Sequence, residues 1–88
     1  MIKVWADEAW DDYVWWQSQD KKTVKRINAL IKDIERNGMA SGIGKPEALR
    51  GDLAGKWSRR IDEKNRLVYD VQGDAVRIAQ CRLHYADH

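Results

Sequence analysis

One cysteine, Cys81, stands alone among 88 residues, so no internal disulfide can form. The opening stretch "MIKVWADEAW" lacks the long apolar run of a secretion signal or membrane span, and a reducing cytoplasm is the expected compartment. No CxxC pair, clustered histidines or glycine-rich phosphate loop is present, so the sequence encodes neither a zinc site nor a nucleotide-binding P-loop. No cofactor and no metal are expected, and any chemistry must come from side chains. The length leaves no room for a second domain. A chain of this size buries well over half of its unfolded surface, which suits a single domain over residues 1–88 with one core.

Positive charge is nearly absent from the first 20 residues, where Lys3 faces Asp7, Glu8, Asp11, Asp12 and Asp20. The net charge of +2 therefore hides an excess of six positive charges in the remainder. A polyanion would be drawn to that part while the first helix turns away.

The hydrophobic pattern orders the elements. "IKVWA" alternates like a strand, and Asp7 offers an N-cap to a helix over about 8–19, with Trp10, Tyr13, Val14 and Gln17 at i, i+3, i+4, i+7. Asp20 can cap a second helix over 21–37, where Val24, Ile27, Leu30, Ile31 and Ile34 form one stripe before Gly38. Lys21, Lys22, Lys25, Arg26, Lys32 and Arg36 fall on the arc away from that stripe. Residues 39–55 hold four of the six glycines and the only proline, and read as a long irregular connection of the kind that often carries function. Strands over 56–62, 66–72 and 75–85 follow, joined by the short connections of an antiparallel meander. The expected fold class is α+β, in the order β-α-α-β-β-β, with two N-terminal helices packed on a mostly antiparallel sheet.

Strand parity separates faces. Trp57 and Ile61 share one face while Arg60 points the other way, and Leu67, Tyr69 and Val71 share one face while Arg66 points the other way. Both arginines leave the core face. In the last strand the parity changes between Val76 and Ile78 on one side and Ala79, Cys81 and Leu83 on the other, as in a strand buried on both sides or one carrying a bulge. Of the tryptophans, Trp10 and Trp57 are expected in the core, and Trp5, Trp15 or Trp16 are candidates for exposure.

Without the apolar residues, the second half leaves Lys45, Glu47, Arg50, Arg59, Arg60, Arg66, Arg82, His84 and Tyr85, which can converge on one open sheet face. A carboxylate, an imidazole and several guanidinium groups are the parts needed to cleave RNA without metal. One group takes a proton from the ribose 2′-hydroxyl, another protonates the leaving 5′-oxygen, and cations stabilise the phosphorane. Each part also has an ordinary explanation as a solvated surface residue.

The segments "WDDYVWWQ", "KRINALIKDIERNG", "GKPEALRGDLAGKWSRRIDEKNRLVYDV" and "CRLHY" resemble the Txe/YoeB family of bacterial toxins, within the RelE/ParE superfamily, from about residue 3 to Tyr85. The resemblance implies a RelE-like fold and an mRNA interferase acting on translating ribosomes. It implies a cognate antitoxin of the YefM/Axe type as partner, operator DNA contacted only through the antitoxin complex, and a homodimer. Residue by residue it implies Glu47 as general base, His84 as general acid and Arg66 as the main stabiliser of the pentavalent phosphate. Arg50, where the family commonly has lysine, Arg60 and Tyr85 would position substrate. Lys21, Lys22, Lys25 and Lys32 would dock on ribosomal RNA phosphates. Two rivals share the scaffold: a ParE-like, non-enzymatic gyrase inhibitor, and a catalytically silent RNA-binding or repressor subunit.

Overall fold

A computed structural model describes residues 1–84; Tyr85 and residues 86–88 lie outside the described residues. The order is β1 (Ile2–Trp5), α1 (Asp7–Gln19), α2 (Lys21–Asn37), β2 (Glu47–Ala48), a 3-10 turn (Gly51–Leu53), β3 (Trp57–Arg60), β4 (Arg66–Gln72) and β5 (Ala75–Gln80). The strands form one sheet in the order β1-β5-β4-β3-β2, with β1 parallel to β5 and every other pair antiparallel. The expected α+β class and mostly antiparallel sheet are therefore observed. The additional strand β2 comes from the long connection, where two residues between Pro46 and the 3-10 turn are too few to show any periodicity.

Helix α2 follows its sequence closely. Asp20 accepts from the Lys22 amide (3.0 Å) and the Thr23 hydroxyl (2.9 Å), and the Gly38 amide closes the helix on the Ile34 carbonyl at φ 86°. Its stripe of Ile27, Leu30, Ile31 and Ile34 is buried against Leu67, Tyr69, Val76 and Ile78 of the sheet.

Helix α1 departs from expectation. Asp7 begins the helix, the N-cap is Ala6, and no side chain caps it. The buried face is Ala9, Asp12 and Trp16, while Trp10 and Val14 are about half exposed. Polar bonds decide this rotation. The Cys81 amide donates to Asp12 Oδ2 (3.1 Å) and the Trp16 indole donates to the Cys81 carbonyl (2.8 Å), so α1 satisfies both backbone groups of the residue that follows β5. A carboxylate buried for that reason cannot be found by apolar spacing. Trp10 instead packs at the rim against Trp5 and Tyr13.

The parity change in the last strand is a β-bulge. Tyr69 pairs with Ile78 and Val68 with Gln80, which leaves Ala79 as the extra residue. Val76 and Ile78 before the bulge and Cys81 after it all join the helix-side core. The strand stops at Gln80, not at 85, so His84 stands on a tail beyond the sheet ladder.

Candidate functional site

On the sheet face away from the helices, cross-strand register aligns Glu47 of β2 with Ser58 of β3, Val68 of β4 and Gln80 of β5. Two residues further along, Arg60 and Arg66 stand directly opposite each other on the same face. Glu47 and Arg60 are exposed and Arg66 is half-buried. Arg66 Nη1 donates to the carbonyls of Asp62 (2.6 Å) and Asn65 (3.1 Å), which fixes the plane of the guanidinium at the mouth of the β3–β4 turn. That turn is built by Asp62, whose Oδ1 accepts the amides of Lys64 (2.8 Å) and Asn65 (2.7 Å). Burial raises the Asp62 pKa, but the bonds from Asn65 and Lys64 more than offset it, and the carboxyl is held below its ordinary value.

The tail that carries His84 is tied to this turn. Leu83, at φ 64°, donates its amide to Asn65 Oδ1 (2.7 Å) and accepts the Arg66 amide on its carbonyl (3.0 Å). Gln80 Nε2, buried on the open face, donates to the carbonyls of Arg82 (3.1 Å) and Leu83 (3.4 Å). A left-handed leucine is strained, and these bonds to both of its backbone groups hold it there. His84 is half-buried, one residue beyond a backbone pair with Arg66. The register thus brings Glu47, Arg60 and Arg66 to one open face, and the tail brings His84 to its end.

Arg50 is exposed at the start of the 3-10 turn, three residues beyond Glu47 on the same segment. Tyr85 lies outside the described residues. Lys21, Lys22 and Lys25 are exposed on the first half of α2, which Arg26 ties to the site by donating to the Arg60 carbonyl (3.0 Å). Lys32 is exposed further along, beside a cleft of about 190 Å³ lined also by Lys3, Trp5 and Tyr13.

Two members of the expected cluster do not join it. Arg59 is fully buried on the helix side, because it has the parity of Trp57 and Ile61. The Arg82 guanidinium lies 4.2 Å over the Trp15 ring of α1. Trp16, a candidate for exposure, is buried, and Trp10 is not in the core.

Sequence reasoning missed Asn65 and Gln80, which hold the tail, and the Asp33–Arg59 pair. The Asp-x-x-Asn spacing of Asp62 and Asn65 is a turn signal that could have pointed to the first. Nothing local marks Gln80. Among the described residues no group of three or more His, Cys, Asp or Glu side chains is placed to hold a metal ion. Burial, reinforced by the Asp12 charge, pushes the Cys81 thiol far above its ordinary range and leaves it no nucleophilic role.

Residues 5–85 match the family model described as YoeB-like toxin of bacterial type II toxin-antitoxin system. The chain belongs to the YoeB toxin family. Toxin YoeB of Escherichia coli (strain K12) is 55% identical over 85 residues, covering 97% of this chain and 100% of that protein. Two solved structures from Staphylococcus aureus superpose with a TM-score of 0.91. A YoeB–YefM complex is 46% identical and a YoeB dimer 47%, each covering 97% of this chain and 98% of the other. This YoeB-family chain is thus similar to toxins that have been seen both with YefM and as a dimer. Among its described residues, no helix is long and apolar enough to cross a membrane.

Proposed function

We propose that this toxin is a metal-independent endoribonuclease that cuts mRNA in the ribosomal A site and so stops translation. One observation carries the reading: Glu47, Arg60 and Arg66 share the sheet face away from the helices, and backbone bonds to Asn65 and Arg66 hold the tail that bears His84. Glu47 takes the proton of the ribose 2′-hydroxyl, whose oxygen attacks the adjacent phosphorus. Arg66 stabilises the charge of the phosphorane. His84 protonates the 5′-oxygen as its bond to phosphorus breaks. Arg50, Arg60 and Tyr85 hold the phosphate and flanking nucleotide.

Acid and base each contribute about 10²- to 10⁴-fold, and one preorganised cationic donor roughly 3 to 4 kcal/mol by analogy with oxyanion holes. On this reading the protein does not by itself hold the message in line for attack. The ribosome supplies that orientation by bending the message into line, with Lys21, Lys22, Lys25 and Lys32 on ribosomal RNA phosphates. A YefM/Axe-type antitoxin neutralises the toxin in the cytoplasm, and operator DNA is reached only through that complex. The YoeB–YefM complex and YoeB dimer from S. aureus support the antitoxin and a homodimer.

The test is cell-free translation of a defined message followed by mapping of fragment 5′ ends. Cuts confined to ribosome-occupied A sites are expected, with a 2′,3′-cyclic phosphate or its opened 3′-phosphate upstream and a free 5′-hydroxyl downstream. Replacing the single ribose 5′ to the scissile phosphate by deoxyribose should stop cleavage without weakening binding. A 5′-phosphate product, or efficient cutting of the deoxy message, would require an attacking water and defeat the mechanism. Inhibition of gyrase supercoiling with the message left intact would favour the ParE-like reading instead.

A further inference from the structure

Arg59 is the one cation of β3 with no access to solvent, and all five of its guanidinium and Nε hydrogens have an acceptor. Nε donates to Tyr69 Oη (2.9 Å), Nη1 to Asp33 Oδ2 and the Ile43 carbonyl (3.0 Å), and Nη2 to the carbonyls of Gly38 (2.8 Å) and Ser41 (2.6 Å). The Tyr69 hydroxyl donates in turn to the Met39 carbonyl (2.6 Å), and Asp33 Oδ2 also accepts the Ile43 amide (3.0 Å). Residues 38–43 have no helix or strand ladder of their own. Four of their carbonyls and one amide are satisfied by this single cluster. The fit is tight: a Cβ at Gly42 would overlap the Asp33 carboxylate, and one at Gly44 would meet Leu30 Cδ2 at 2.8 Å.

The chain leaves this clasp, pairs the Gly44 carbonyl with the Arg60 amide (2.7 Å), and enters β2 at Glu47 opposite Ser58. A two-residue strand has little capacity to hold its own register. Consecutive residues of β3 therefore do two jobs. Arg59 points inward and grips the segment that brings Glu47, while Arg60 points outward into the open face.

We infer that Arg59 and Asp33 are positioning residues for Glu47: the buried guanidinium–carboxylate clasp sets the path of residues 38–47 and with it the place of that carboxylate relative to Arg60 and Arg66. The inference rests on the reading of Glu47 as the general base. An ion pair with one buried member is by itself weak evidence for stability, and apolar side chains would fill the space of the Arg59 guanidinium. They would leave the Gly38, Ser41 and Ile43 carbonyls without donors, which is why the clasp specifies a path.

The test uses Arg59→Lys and the isosteric Asp33→Asn in the full chain, each alone and combined with Glu47→Gln. At saturating toxin, each should lower the single-turnover rate of A-site mRNA cleavage about ten- to hundredfold, as a displacement near 1 Å does, with the half-saturating toxin concentration unchanged. In the Glu47→Gln background the same substitutions should cost less than about twofold, because the group they position is gone. Equal losses in both backgrounds, or a loss seen only as weaker binding, would overturn the inference. Hydrogen exchange in the Glu47→Gln chain, compared with and without Asp33→Asn, gives a readout independent of cleavage. The amides of Ile43, Leu49 and Arg60 should lose protection while those of β4 and β5 keep theirs; unchanged or uniform exchange would overturn it. A parent chain that does not cut ribosome-bound message refutes the functional reading instead, and the exchange result then decides on the clasp.

Discussion

His84, Glu47 and Arg66 divide the proposed chemistry unequally, and single substitutions separate their shares. His84→Ala should abolish cleavage and toxicity while antitoxin binding and thermal unfolding stay close to the parent, because on the proposed reading it supplies the proton and it stands on the tail beyond β5, outside the sheet ladder. Cleavage near the parental rate would remove His84 from the mechanism. Glu47→Gln should cost less than Arg66→Ala if transition-state charge outweighs base strength, which single-turnover rates decide. Acid titration reports on two other carboxylates. The hydrogen bond from Arg59 holds the Asp33 pKa below its ordinary 3.8, and the bidentate bond from Arg77, with Lys56 nearby, does the same for Asp70. Their folded-state values are depressed, so their contribution to stability is complete above 3.8 and is lost as pH falls from there through the folded values. Unfolding midpoints measured from pH 6 downward should fall most steeply below about pH 4, and Asp70→Asn should flatten that fall. Alternation sufficed to place Arg60 and Arg66, since only direction along a strand was needed. The same alternation puts Arg59 between Trp57 and Ile61, but a guanidinium in a core becomes credible only when its acceptors are known, and those come from Tyr69 and from residues 33 to 43.

The two helices differ in how far their own sequences determine their faces. Helix α2 carries a continuous apolar stripe and a side-chain cap, and its bounds match expectation. Leu30→Ala, at a fully buried position on that stripe, should destabilise the toxin by roughly 2–5 kcal/mol in denaturant unfolding. Helix α1 is oriented by Asp12 and Trp16 on the backbone of Cys81, a partner 65 and 69 residues away that no window of sequence contains. Strands β3 and β5 were expected to be longer than they are. A side-chain turn at Asp62 ends the first, and the bulge at Ala79 followed by the left-handed Leu83 diverts the second. The basic arc of α2 was legible, and a direct assay tests its role. Changing Lys21, Lys22 and Lys25 together to glutamate should weaken ribosome binding and reduce the slope of log affinity against log salt, because three phosphate contacts are lost. Equal low-salt affinity for parent and variant would show that this surface faces solvent or the antitoxin.

For the whole molecule, the order of the two helices and the four longer strands is legible in the sequence, because strand and helix periods differ. The place of β1 beside β5, and the strand β2, are not. An antitoxin segment that is disordered alone should fold across the open face, its acidic and apolar residues pairing Arg60, Arg66 and the edge of α2 and silencing the toxin. A complex that stays active with the antitoxin held only at α1 would contradict this. The parallel pairing of β1 with β5 joins Ile2 to Ala75 and Trp5 to Ile78. During synthesis the strand made first therefore waits, unpaired, for the strand made last among those described, and the closure of so long a loop comes late and slowly. A nascent chain therefore cannot complete its sheet until β5 has left the ribosome. The tail bearing His84 follows β5 and is tied to Asn65 and Arg66 of the β3–β4 hairpin, so the proposed site is assembled only once β5 is in place.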